Sequence, residues 1–412
     1  MFYFKTSKRQ KNYNNSMARL EEIQEKFGLG TSGLKEDFSS LKGLKLTMIT
    51  ASSYGSGVSE SAKTLQDYFR ELGLKVSWQT IEAPQEFFEI SKKISNSLIG
   101  LVDLTSAELK KFKDLSSQIK LDTDCDILYL HDHPALIAAS FFTHIPKIYR
   151  CHFDISRASL NTWQFIKPYI KKCDGAIFTL PNFHREIEKF KNKIAYVLPS
   201  IDPLSVKNTF ATEQDVKEVF NKYQITLDKP VILQVSRFDR LKDPCGLIEA
   251  FNLVQKDFPS AQLVIAGALA PDDTNAEAVY REALAKAQGN KNIKILSLNK
   301  QDAQISALQS GATIIVQKSL AESFGLAITE ALWKAKPVVA SKVGGIPLQI
   351  TDRKTGLLCT DIKTCAENIL RLLKDKALAL RLGKNGHNLV KEKFLITREL
   401  KEHLKIFKKI LQ

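Results

Sequence analysis

Several things are scarce in this chain, and each absence excludes a class of protein. Its six cysteines, Cys125, Cys151, Cys173, Cys245, Cys359 and Cys365, include no CxxC pair, which argues against a disulfide framework or a zinc ribbon. Buried thiols in a reducing compartment are expected instead. No apolar run approaches the roughly 20 residues that cross a bilayer. The longest, Ala135 to Phe142, ends at Thr143, His144 and Pro146, and the opening Met1-Phe2-Tyr3-Phe4-Lys5 is too short for a signal-peptide core. A cytoplasmic protein is the expectation.

At 412 residues the chain exceeds one ordinary core, so two domains of roughly 200 residues each are expected. The formal charge of +15 favours anionic partners. Much of it collects at the ends, in Lys5, Lys8, Arg9 and Lys11 and in Lys401, Lys405, Lys408 and Lys409. The latter group flanks an apolar helical stripe of Leu400, Leu404, Ile406, Phe407 and Ile410, which reads as core beside a solvated face. Basic stretches interleaved with exposed aromatics are lacking, so no nucleic-acid partner is expected.

Two alternating series of strands and helices follow a polar lead-in. The first has strands at Lys45 to Ala51, Lys75 to Ile81, Ile127 to Leu130, Lys147 to Arg150, Ala176 to Leu180 and Ala195 to Leu198. A proline-bracketed turn, Pro199-Ser200-Ile201-Asp202-Pro203, separates it from the second. There the strands are Val231 to Val235, Gln262 to Ala266, Ile293 to Leu296, Thr313 to Val316 and Pro337 to Ala340. Such alternation implies an α/β chain of two doubly wound, Rossmann-like halves, with ligands at the carboxyl ends of strands. The ranges are a lead-in over 1–43, domains over 44–205 and 206–392, and a terminal helix over 393–412.

The sharpest chemical signal is Ala321-Glu322-Ser323-Phe324-Gly325-Leu326-Ala327-Ile328-Thr329-Glu330, where two carboxylates stand eight positions apart across a strand-to-helix junction. A helix starting near Phe324 or Gly325 would offer unpaired N–H groups and its positive dipole end to a diphosphate. After the strand Val231 to Val235, Arg237 and Lys242 place a guanidinium fork and a point charge where a leaving diphosphate would need them. Arg240 between them reads as a solvent-facing residue. Asp243-Pro244 supplies the next helix with a cap and a first-position proline.

In the first half, Gly55-Ser56-Gly57 follows a strand and precedes a helix, which suits an anion, but it lacks the third glycine of a dinucleotide fingerprint. His152, after the strand ending at Arg150, is placed to bind a sugar hydroxyl. Two metal readings fail on pattern. Asp122-Thr123-Asp124-Cys125-Asp126 contains a DxD but precedes its strand, and His131-Asp132-His133, read as strand, points both rings to one face with no third ligand. No metal or other cofactor is expected, and Asp132 and Arg150 remain candidates on the acceptor side.

Together these residues resemble the retaining glycosyltransferases of the GT-B fold, whose signature is Glu, seven residues, Glu: here Glu322 and Glu330. The resemblance implies a nucleotide-sugar donor and a small sugar acceptor. It assigns Arg237 and Lys242 to the diphosphate, Glu322 and His152 to the sugar, and Glu330 to the ribose. Gly325, Leu326, Thr329 and the Gly55, Ser56, Gly57 loop fall on the donor side. It also implies that the terminal helix crosses back to the first domain. A narrower resemblance to enzymes that transfer glucose from NDP-glucose onto free glucose lies in Arg150-Cys151-His152-Phe153-Asp154-Ile155-Ser156, Leu198-Pro199-Ser200-Ile201-Asp202-Pro203, Gln317-Lys318-Ser319 and Val343-Gly344-Gly345-Ile346. Fungal-type trehalose phosphorylases share parts of it, so phosphorolysis stays open, as do a glycolipid or polysaccharide acceptor and peripheral contact with an anionic membrane. The same resemblance raises the expectation of a homodimer.

Overall fold

A computed structural model describes residues 5–6, 19–31, 33–52, 57–121, 124–185, 194–269, 275–298 and 301–411. Among these residues thirteen strands are defined: β1 Lys5–Thr6, β2 Lys45–Thr50, β3 Lys75–Thr80, β4 Ile127–His131, β5 Lys147–Arg150, β6 Gly175–Phe178, β7 Ile194–Tyr196, β8 Val231–Val235, β9 Gln262–Gly267, β10 Ile293–Ser297, β11 Ile314–Gln317, β12 Val338–Ser341 and β13 Leu357–Cys359. The chain divides into two compact units, Met1–Pro199 with Thr397–Gln412, and Ser200–Ile396.

The first unit holds a seven-stranded sheet in the order β1-β3-β2-β4-β5-β6-β7, parallel throughout except where β1 runs antiparallel on β3. Continuous apolar runs such as Ile127-Leu128-Tyr129-Leu130 are buried along their whole length, as strands covered on both faces must be. The chain passes from β2 to β3 on one side and returns to place β4 on the other, so a topological switch point lies between β2 and β4. The helix Ile396–Leu411 belongs to this unit, and its Leu400, Leu404, Ile406 and Phe407 are buried while Lys401, Lys405 and Lys409 are exposed.

The second unit is a six-stranded parallel sheet in the order β10-β9-β8-β11-β12-β13. Its switch point lies between β8 and β11, where Ile232 pairs with Ile314 and Leu233 with Ile315. The α/β doubly wound architecture expected from the strand and helix alternation is therefore the one found. Two short strands went unforeseen. β1 is a two-residue polar piece of the lead-in, and β13 is a three-residue edge, so neither is long enough to show a period. None of the six cysteines is in a disulfide, and no described helix is long and apolar enough to cross a membrane.

Candidate active site

Loops at the β8/β11 switch point carry Arg237, Lys242 and Glu322. Asp239 turns the chain after β8, its carboxylate accepting from the Leu241 N–H at 2.8 Å and lying 3.7 Å from the Arg237 guanidinium. Arg237 stays about a third exposed. Asp243, in left-handed backbone at φ 47°, caps the helix Pro244–Asp257 by accepting from the Gly246 N–H at 2.9 Å. A Cβ at position 246 would strike that carboxylate in its present position, so glycine as the third helical residue leaves room for the cap. The cap expected from Asp243-Pro244 is thus present. Arg240 forms an exposed bidentate pair with Glu282.

Across the switch point, the loop after β11 meets this turn through buried Gln234. Its amide donates to the Lys242 carbonyl at 3.1 Å and accepts from the Lys318 N–H at 3.3 Å, while the Leu320 N–H donates to the Leu241 carbonyl at 2.8 Å. The Lys318 ammonium pairs with Asp243 and the Lys242 ammonium with Glu322. Glu322 is held from behind by a turn at Gly344-Gly345. The Gly345 N–H donates to the Glu322 carbonyl at 3.1 Å, and Gly344, at φ 51°, packs so closely that a Cβ would overlap that carbonyl oxygen.

Glycine at 325 lets the chain turn at φ 89° into the helix Leu326–Trp333, and no side chain among the described residues caps its amino end. The first backbone N–H groups of that helix are left for an anion beside Glu322. Thr329, expected to reach the donor, is instead fully buried: its hydroxyl donates to Gln349 Oε1 at 2.5 Å, and the Gln349 amide donates in turn to the Phe324 carbonyl. Its role is to brace the loop. Glu330 is also buried, its carboxylate 2.8 Å from the Lys207 ammonium and 3.2 Å from the Gln309 amide. Nearby Lys334 is pushed down to about 8 by burial, with Glu330 opposing the shift.

In the first unit, Gly57 opens the helix Gly57–Glu71, whereas Gly55 and Ser56 lie outside the described residues. The strand reading of His131-Asp132-His133 fails after its first residue. Asp132, at φ 62°, starts a helix, so the two rings diverge, His131 to His152 at 2.9 Å and His133 to the Ser91 hydroxyl at 3.0 Å. Asp132 is buried, accepts from the His152 N–H at 2.8 Å, and is raised by burial to about 7. Arg150, a candidate for the acceptor, is buried with its fork donated to the Phe178 and Val197 carbonyls, at 3.3 and 2.7 Å, so it braces the sheet. Of the DxD run, Asp124 pairs with the Lys45 ammonium at 2.7 Å and Asp126 accepts from the Lys45 N–H at 2.8 Å, while Asp122 lies outside the described residues.

Pattern reading missed Lys207, Gln309 and Gln349, none of which is near its partner in sequence. It quoted Lys318 and the Gly344-Gly345 pair without a structural role; the adjacent glycines were the available signal.

Residues 215–389 match the family of glycosyl transferases group 1, and residues 48–185 match the trehalose synthase N-terminal domain. Over 395 residues the chain is 33% identical to the trehalose synthase of Thermococcus litoralis, which covers 94% of this chain and 96% of that protein. Among solved structures, sucrose-phosphate synthase from Thermosynechococcus elongatus is similar at a TM-score of 0.68 and 18% identity, covering 89% of this chain and 99% of that one. Anabaena HepE, solved with UDP and glucose, is similar at 0.66 and 15%, with the same coverage. These two likenesses concern the fold, and they agree with the GT-B architecture.

Proposed function

Because the chain belongs to the trehalose synthase family of group 1 glycosyltransferases, we propose that it moves a glucosyl group from a nucleoside diphosphate sugar onto free glucose, with retained anomeric configuration, to give trehalose. It is a glycosyltransferase; donor, acceptor and product are the proposal. The observation that supports it best is the convergence of Arg237, Lys242, Glu322 and the uncapped helix start at Leu326 on one switch point, the place where open α/β sheets bind ligands.

The chemical difficulty is charge separation. As the bond between the anomeric carbon and the phosphate oxygen breaks, positive character grows on the sugar and negative charge on the diphosphate. Arg237, Lys242 and the helix N–H groups supply fixed positive charge to the leaving group, each worth on the order of 3 kcal/mol in the transition state. In this reading they supply the countercharge without a metal. Glu322, oriented by Lys242 and the Gly344-Gly345 turn, holds sugar hydroxyls, and His152 is the sugar-binding candidate of the first unit. The acceptor hydroxyl attacks the face the phosphate leaves: its oxygen bonds to the anomeric carbon and its proton passes to the departing phosphate oxygen.

The test is incubation of the purified protein with individual NDP-hexoses and glucose, with products resolved by anomer-sensitive NMR. Trehalose formed with release of the nucleoside diphosphate is expected, and Arg237→Ala should slow it about a hundredfold. Turnover of no NDP-hexose, or trehalose cleavage that requires inorganic phosphate, would overturn the reading.

A further inference from the structure

At the carboxyl ends of β4 and β5 two imidazoles meet. His131 Nδ1 lies 2.9 Å from His152 Nε2, and the ring planes differ by only 11°. His131 is buried, and its other nitrogen, Nε2, has no hydrogen-bond partner among the described residues. Burial keeps both rings neutral, holding His131 down to about 3 and His152 well below its ordinary range, with the Arg150 charge acting in the same direction.

A hydrogen bond between two neutral imidazoles contains one proton, so one ring donates and the other accepts. Were His152 the donor, His131 would carry its own proton on Nε2, leaving a buried N–H with no acceptor. With His131 as donor, Nε2 is a bare lone pair instead. Orphaned buried donors are rarer than under-satisfied acceptors.

We infer that His131 is a positioning residue: it donates from Nδ1 to His152 Nε2 and so fixes His152 as the Nδ1-protonated tautomer, a neutral hydrogen-bond donor to a sugar oxygen. The consequence for the sugar rests on the function proposed above, whereas the tautomer itself rests on geometry alone. The backbone of His152 is fixed by Asp132, whose carboxylate accepts its N–H. The His131 ring is fixed by Tyr129, with centroids 4.8 Å apart, and Tyr129 is held through its hydroxyl, 2.7 Å from His403 Nε2. His152 in this pairing has no route to a second proton at Nε2, so it serves as a donor and not as a titrating acid.

Labelling the full chain with 15N-histidine and recording two-bond nitrogen–proton correlations reads which ring nitrogen of His152 carries the proton. The signal is assigned by its loss in His152→Gln. Protonation at Nδ1 is expected; protonation at Nε2, or a mixture, overturns the inference. His131→Phe should release His152 into mixed tautomers and lower kcat about tenfold, with a smaller change in donor KM. His131→Asn, whose amide N–H stands near the position of Nδ1, should restore the single tautomer and most of the rate. Equal losses in both variants would reduce His131 to packing. The wild-type spectrum decides the tautomer even if a variant fails to fold. Unchanged turnover in His152→Gln would sink the sugar-side role of His152 without touching the tautomer result.

Discussion

The ammonium of Lys242 rests on a carboxylate oxygen of Glu322, joining the turn after β8 to the loop after β11. Both side chains are largely covered, at 17% and 10% exposure, so each neutralises the other where water screens poorly. The pair therefore should act as a unit. Lys242→Ala and Glu322→Gln are each expected to lower stability, and the double variant should fall short of the sum by about 1–3 kcal/mol. Urea denaturation of the four proteins measures this, and additive losses would show the contact to be energetically idle. Turnover in Lys242→Ala should drop about a hundredfold, since the leaving diphosphate loses a fixed charge.

Glu322 also depends on a neighbour with no side chain. Gly344 carries a positive φ, and a methyl group there would overlap the Glu322 carbonyl oxygen, a backbone atom that cannot swing aside. Gly344→Ala should displace the whole Glu322 segment, costing about 3 kcal/mol or more by chemical denaturation and removing most activity. Gly28→Ala is the control: it shares a positive φ of 61°, but a Cβ there meets nothing within 4 Å, so only backbone strain of about 1 kcal/mol is expected. Comparable losses in the two variants would refute the close-approach argument.

Glu330 links a proposed ribose contact to a buried charge cluster. Its carboxylate pairs with Lys207 and acts on Lys334, so Glu330→Ala removes a buried negative charge from this cluster. A stability loss of about 3 kcal/mol is expected from that alone. A ribose contact adds something separable: donor KM should rise about tenfold while kcat moves much less. If donor KM stays at its wild-type value once the variant is shown to be folded, Glu330 is a structural residue.

What the sequence reveals here is what neighbouring residues decide among themselves. The Asp243 cap spans three residues, and buried parallel strands announce themselves as apolar runs such as Ile314-Ile315-Val316, so both were legible. The order of strands was not, because alternation says that β8 and β11 share a sheet but not that they are adjacent. That adjacency creates the switch point and brings Lys242 to Glu322. Thr329 and Arg150 show the converse limit. Each stands at a suggestive position, yet which way a side chain faces is settled by packing partners, Gln349 in one case and the Phe178 and Val197 carbonyls in the other.

Burial gives His133 a measurable effect on stability. The ring is fully enclosed, hydrogen-bonded to the Ser91 hydroxyl and set among Phe112 and Phe153, and desolvation holds its protonation down to about 3. The unfolded chain protonates this histidine near 6.5, so between about pH 6.5 and 3 the unfolded state binds more protons than the folded one. Stability from this group is thus complete above the unfolded value and is lost as the pH falls through that window. The slope for one proton is about 1.4 kcal/mol per pH unit, giving about 2 kcal/mol between pH 7 and pH 5. His133→Leu, compared with wild type by urea denaturation at both pH values, should shrink the acid-induced loss by that amount, whatever its effect at pH 7. A variant whose loss on acidification matches that of wild type would mean that His133 is not held neutral in the folded protein.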